Sequence, residues 1–440
     1  MSAPRIPHPI IFSLLYLPFG ALSGFVSVAL TFMGKESGLS ISDTSLLIGA
    51  NLLTGWMKWV WAPMVDATLS PKKWYLFATT CSAIGVFTMA AVPMNNETLP
   101  ILLGVITAAS LINSIVGMSI EAIMAVTTTE TERGRVSAWF QAGNLGGSAF
   151  GGALGLILLQ ELPSPWMAGA IMAGTFLACC TALRWVPDVR AHVAVGGVLR
   201  STFNVFGELW AMLKTRPGML SALLCTLPLG TGAVEGVLGQ DAIAGYWGAG
   251  AREVALVQGL LAGALMTAGC FVGGWLCDRL HPRTAYAAIG LALAFVAVGM
   301  GVSPATITMY VGWNMLYSFG VGIAYAAFTA VVLSAMGTGA GATKYSFFAS
   351  LSNFPIWWLG LLLGRVADSA LGTAVLPKGG GEAVPAGAFD VWLAGFMAAI
   401  SAPLGATSAL YCEAVFGVIA VGVFVVVVKL LGGSRSWAVR

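Results

Sequence analysis

Long apolar runs alternate with short polar breaks along almost the whole of the 440-residue chain. Runs near 9–33, 43–65, 73–94, 98–128, 134–160, 165–187, 217–246, 252–277, 283–303, 305–335, 343–369 and 405–431 are each long enough, as helices, to cross about 30 Å of hydrocarbon. A spanning segment must satisfy its backbone polar groups internally, so the pattern predicts twelve transmembrane helices. The apolar stretch 389–400 predicts a short helix on the outer side before the last span. The longest polar interruption, Pro187 to Pro217, divides the chain into residues 1–188, a linker 189–216 and residues 217–440. Within it Phe203, Phe206, Leu209, Trp210 and Leu213 recur at helical spacing, which predicts an amphipathic helix over 198–213 on the inner surface. The Gly- and Pro-rich stretch 372–388 reads as an irregular outer loop.

Composition agrees: 9% charged and 58% apolar residues cannot cover a soluble domain of this length. The distribution of Lys and Arg sets the orientation. Sixteen fall in segments on the side of the N-terminus, and three (Lys35, Arg252 and Lys378) on the other. The excess predicts that both termini are cytoplasmic, in a bacterial inner membrane. The first run is too long for a cleavable signal and no cleavage-like site follows it. The seven cysteines sit in or beside apolar runs without zinc spacing and read as small buried hydrophobes. There is no Walker loop and no Gly-x-Ser-x-Gly elbow, and the only histidines are His8, His192 and His281. These features exclude an ATP-driven pump and give no support to an enzyme, a cofactor, a metal or a nucleic-acid partner.

Ionisable residues inside spans are functional candidates by default. Glu121 lies in the inner part of the fourth span, and Glu235 in the seventh among Gly230, Gly232 and Gly236. A carboxyl desolvated with no cation near it in sequence is the kind of group that exchanges protons near neutral pH. Lys58, in the second span, reads as a partner of Glu121, as an anion ligand, or as a side chain reaching for the interface. Arg365 and Asp368, spaced i, i+3, are expected to pair with each other near the outer end of the eleventh span, and together with Glu413, which opens the twelfth span at its outer end, they read as gating or structural. Aromatic and amide side chains form a second layer: Tyr16, Gln141, Asn144, Trp313, Asn314, Tyr317, Tyr325, Asn353 and Trp357. Such a wall suits an organic solute better than a bare ion.

The stretch from Gly274 to Arg283 reads Gly-Trp-Leu-Cys-Asp-Arg-Leu-His-Pro-Arg. A weaker copy ends in Trp61-Ala-Pro-Met-Val-Asp66, followed by Pro71-Lys72-Lys73, and Asp278 lies 212 positions after Asp66 (278 − 66). A repeat at nearly half the chain length implies two halves of equal build. The stretch resembles the loop between the second and third helices of each half in the Major Facilitator Superfamily. That resemblance implies an all-α fold of twelve transmembrane helices in two pseudo-symmetric six-helix halves. It also implies a cavity lined by the first, fourth, seventh and tenth helices, and a latch in which Asp66 and Asp278 dock on neighbouring helix ends while Arg279 and Arg283 face the headgroups. In the fifth span Gly143-Asn-Leu-Gly-Gly-Ser148-Ala-Phe-Gly151-Gly152 resembles the Gly-rich antiporter signature, with Ser148 in place of its Pro; close helix packing explains the same glycines.

Tyr16-Leu-Pro-Phe-Gly20, Gly24-Phe-Val, Leu46-Leu-Ile-Gly and Lys58-Trp-Val-Trp-Ala-Pro-Met-Val-Asp66 are similar to the branch holding AmpG-type muropeptide permeases and acetyl-coenzyme A transporters. The permeases' acidic pair on the fourth helix is absent here, where Ser114-Ile-Val-Gly-Met118 precedes Glu121. The expectation is a monomeric secondary transporter that moves a small organic molecule through the lipid bilayer, coupled to protons through Glu235 or Glu121. A siderophore or muropeptide importer of the same fold, or a non-transporting receptor or lipid scramblase, are the alternatives.

Overall fold

A computed structural model describes residues 7–39, 43, 46–51, 55, 58–188, 198–337, 340–370 and 388–430. Much of the second predicted span, the first part of the linker (189–197) and nearly all of the predicted outer loop 372–388 lie outside the described residues. All described elements are helical. In chain order they are α1 (Ile10–Gly34), α2 (Ala62–Ala67), α3 (Pro71–Ala91), α4 (Leu99–Thr127), α5 (Glu130–Glu161), α6 (Pro165–Trp185), α7 (Val198–Leu213), α8 (Arg216–Thr226), α9 (Ala233–Leu238), α10 (Asp241–Tyr246), α11 (Arg252–Arg279), α12 (Pro282–Val302), α13 (Ile307–Met336), α14 (Gly341–Ala370), α15 (Ala388–Ala399) and α16 (Ser408–Leu430).

Ten of these are long and apolar enough to cross a membrane. The two predicted spans missing from the ten are the second, described only in pieces, and the seventh, which is broken. The expectation of one continuous helix over 217–246 is therefore corrected: α8 stops at Thr226, and the chain resumes helix only at Ala233. Gly230 and Gly232 between them have φ of +59° and +69°, a region open to glycine and strained for other residues. Breaking a helix at membrane depth frees backbone groups that other helices must satisfy. Here the Tyr286 hydroxyl of α12 donates to the Leu229 carbonyl at 2.9 Å, and the Tyr310 hydroxyl of α13 donates to the Leu238 carbonyl at 2.8 Å.

The glycine run of α5 is a packing surface. Gly143, Gly147 and Gly151 are four residues apart and face Ser13, Leu17 and Ala21 of α1, also four apart. A Cβ at Gly151 would run into the Ala21 backbone, and one at Gly24 into the Ser148 carbonyl. These rows let the two helices meet backbone to backbone, as ridge-and-groove packing with small residues requires. In the second half Gly269 and Gly273 of α11 lie likewise against the backbone of Phe319 and Ile323 on α13.

The two halves meet tightly at one end. Asp66, at the end of α2, is buried and accepts hydrogen bonds from the Ala342 and Thr343 amides (3.2 and 2.8 Å) and from the Thr343 hydroxyl (2.8 Å). It thus caps the first turn of α14, where unpaired amides and the helix dipole favour a carboxylate. At the repeat-related place, Gly134 of α5 and Gly274 of α11 touch backbone to backbone, with the Asp278 carboxylate against Gly134. The linker helix α7 runs over the residues that its pattern predicts, buries Val205, Leu209 and Met212, and leaves Phe203 and Trp210 exposed. Its Glu208 lies 3.7 Å from Lys344 of α14, one residue beyond the Asp66 contact.

Candidate functional site

Between the halves lies a cavity of about 780 Å³. Along α14 its wall runs from Tyr345 to Trp357, about 18 Å at 1.5 Å per residue. Trp357 is 62% exposed at the rim away from the Asp66–Asp278 end. The wall is mostly apolar, with Phe19, Tyr286, Tyr325 and Phe328, and neutral hydroxyls and amides are set into it, among them Ser23, Asn51, Asn113, Asn144 and Asn353. Lys58 is the one formally charged side chain among the described lining residues.

Behind Lys58 sits its counter-ion. The Lys58 Nζ is 2.6 Å from Glu121 Oε1, and both residues are buried, with Glu121 at 0% exposure. The second carboxylate oxygen accepts from the Ser346 hydroxyl of α14 at 3.1 Å, and the Tyr16 hydroxyl of α1 donates to Oε1 at 3.4 Å. Lys58 also stands 5.6 Å from the Tyr345 ring centroid, a cation–π distance. Glu121 and Lys58 belong to the first half of the chain and Ser346 to the second, so one carboxylate ties the halves together beneath the cavity.

A chain of neutral hydrogen bonds runs beside it. Asn144 donates to Gln141 (3.0 Å), Gln141 donates to the Thr329 hydroxyl (2.7 Å), and Thr329 and the Tyr345 hydroxyl are 2.9 Å apart. This chain also crosses between halves. Asn144 is positioned by a widened π-helical turn at Ala142–Gly146, a distortion common at functional sites.

The residues singled out from sequence fall into three groups. Tyr16, Lys58, Gln141, Asn144, Tyr325, Asn353 and Trp357 line the cavity, with Glu121 directly behind Lys58. Asp66 and Asp278 lie at the closed end. Near them, Arg279 stacks over the Trp275 ring at 4.3 Å, and Arg283 donates to the Pro217 carbonyl at 3.5 Å. At the other end, Arg365 of α14 lies 5.3 Å from the Phe389 ring centroid, with Asp368 one turn further along the same helix.

Glu235, Trp313, Asn314 and Tyr317 form the third group and do not line the cavity. Trp313 packs on Gly299, Asn314 accepts from Gln258 at 2.8 Å, the Tyr317 hydroxyl donates to Glu413, and Glu235 accepts from Ser318 at 2.8 Å. Neighbouring helices take up the α13 side chains, α12 at Gly299, α11 at Gln258 and α16 at Glu413, and α13 contributes Ala324, Tyr325 and Phe328 to the described cavity wall. Ser346 and Tyr345 were not among the residues expected from sequence. Neither residue is charged, and only the packing of α14 on α4 gives them a role.

A model of the Major Facilitator Superfamily matches residues 12–357. Among solved structures, the chain is similar to the E. coli fucose:proton symporter FucP in a variant form (15% identity, 94% of this chain and 96% of that chain, TM-score 0.67). It is similar also to FucP in the outward conformation (16%, 94% and 96%, TM-score 0.66) and to the human organic anion transporter MFSD10, or TETRAN (15%, 94% and 98%, TM-score 0.64). At these identities the likeness is one of fold.

Proposed function

Because the chain belongs to the Major Facilitator Superfamily, and so is a multi-pass membrane transporter and not an enzyme, we propose that it is a proton-coupled secondary transporter carrying a small organic solute by alternating access around the central cavity. The observation that carries this reading is Glu121, a carboxylate at 0% exposure, paired with Lys58 in the cavity wall and bonded across the halves to Ser346. A proton placed on Glu121 removes the charge that holds Lys58 and weakens the tie to α14. Asp66 caps that same helix at the closed end, so one helix responds to both groups. Glu235 and Glu413 have a different task in this reading: through Ser318 and Tyr317 they hold the outer helices against α13.

The cavity's reach toward Trp357 and the tight Asp66–Asp278 end fit an outward-facing state, with that closed end cytoplasmic, as the Lys and Arg distribution also suggests. Residues 16–66 favour the muropeptide-permease and acetyl-coenzyme A transporter branch, in a bacterial inner membrane, with the chain working as a monomer. The test begins with thermal stabilisation of the purified protein by muropeptides, acyl-coenzyme A species, siderophores, sugars and amphipathic drugs. For a solute that binds, proteoliposomes with an acid exterior should accumulate it. Glu121→Gln should still exchange solute across the membrane yet lose accumulation. Full proton-driven accumulation by Glu121→Gln would refute the assignment.

A further inference from the structure

The cavity presents a cation to its contents and hides the matching anion. Lys58 is on the wall, while Glu121 lies behind it, at 0% exposure. Lys58 is the one of the two partners that lines the cavity a solute would occupy. Of the three N–H donors on Nζ, the described residues give one a hydrogen-bond partner, Glu121 Oε1. Nζ also lies 5.6 Å from the Tyr345 ring centroid, and Lys58 and Tyr345 both line the cavity.

Charge balance then constrains the cargo. With Glu121 ionised, the buried pair carries no net charge. If Glu121 takes a proton, as the proposed function requires, Lys58 becomes an uncompensated buried cation. Removing one partner of a buried pair is strongly unfavourable, because it leaves a charge with neither water nor counter-ion. A neutral solute cannot correct that imbalance, and among the described residues the wall offers no second acid to do so. An anionic oxygen of the solute can, by accepting from Nζ where Glu121 Oε1 did.

We propose that the transported solute bears a carboxylate-like anionic group that replaces Glu121 at Lys58, so that one proton and one anionic group enter the cavity together without net charge. The proposal rests on the proton-coupled reading above. An excess proton from the acidic side, carried as hydronium, protonates Glu121 and leaves water behind, the Lys58–Glu121 hydrogen bond breaks, and a bond from Nζ to the solute anion forms. On release the order reverses and Glu121 recaptures Lys58. The remaining wall, with Asn51, Asn113, Asn144 and Asn353 among aromatic side chains, selects for uncharged hydrogen-bonding groups on the rest of the solute.

The test needs no knowledge of the natural cargo. Sodium acetate and sodium gluconate serve as anionic probes, with glucose as the uncharged counterpart of gluconate, in thermal-shift titrations of the full-length protein. In Glu121→Gln the competitor is gone, so both carboxylates should stabilise that variant at least tenfold more potently than they stabilise Lys58→Gln/Glu121→Gln. Glucose should act alike on both. Wild-type protein provides a second measurement that needs no substitution: carboxylates should be more potent at pH 5.5 than at pH 7.5. The proposal is overturned if neither carboxylate distinguishes Glu121→Gln from the double variant, or if potency on the wild type is independent of pH. A neutral solute that is accumulated on a proton gradient equally well by Lys58→Gln would overturn this proposal and leave proton coupling intact.

Discussion

Replacing Asp66 by alanine should open the closed end, and the structure sets the scale of the effect. The carboxylate is buried and accepts three hydrogen bonds of 2.8–3.2 Å, two of them from backbone amides in the first turn of α14. Losing a helix N-cap costs about 0.5–2 kcal/mol. The interaction of a partly buried charge with the helix terminus adds up to about 2 kcal/mol more. These contacts join α2 of one half to α14 of the other and exist only while the two are docked, so their loss acts on the equilibrium between closed and open ends. A central value of about 2 kcal/mol corresponds to a roughly 30-fold shift toward the open end. Asp66→Asn keeps one acceptor and loses the charge, so a shift of about fivefold, near 1 kcal/mol, is expected. Electron–electron resonance distances between spin labels at Thr131 and Leu430, both exposed at that end on opposite halves, report the two populations. The long-distance population should grow in the order wild type, Asp66→Asn, Asp66→Ala. A distance distribution in Asp66→Ala matching the wild type would refute the capping argument.

Other substitutions probe the packing. Gly151→Leu should abolish recovery of monodisperse protein, because even a Cβ there overlaps the Ala21 backbone, whereas Gly236→Ala, with open space around it, should purify normally. Gly232→Ala should lower the melting temperature through a strain of about 1–2 kcal/mol at its φ of +69°. Tyr286→Phe leaves the Leu229 carbonyl at the helix break without its hydroxyl donor and should destabilise by about 1–3 kcal/mol, measured by the same melt.

The spans were legible because lipid imposes one solution on an apolar run, and the ten long helices fall within a few residues of the runs that predict them. Helix α7 was legible for a different reason: its apolar positions repeat sharply, and Thr215 and Pro217 mark the start of the next helix, Thr215 capping the Gly218 amide at 3.2 Å. The break in the seventh span was not. Gly230, Gly232 and Gly236 are compatible with close helix packing as well as with a turn, and the Tyr286 and Tyr310 hydroxyls that satisfy carbonyls beside the break come from other helices. Trp313, Asn314 and Tyr317 recur at a spacing that reads as one cavity face, but Gly299 of α12, Gln258 of α11 and Glu413 of α16 engage them instead. Glu121 and Lys58 could be named from sequence because charge in a span is conspicuous. The tie to Ser346 could not, since a serine in an apolar run carries no such signal.

The proposed mechanism makes Glu121 the group that takes the proton, and infrared difference spectra of the wild type between pH 8 and pH 5 test that assignment without any solute. A protonated-carboxyl C=O band that appears on acidification should persist in Glu235→Gln and Glu413→Gln and lose a component in Glu121→Gln. A difference spectrum of Glu121→Gln identical to that of the wild type would mean that Glu121 does not change its protonation, and would contradict the proposed mechanism.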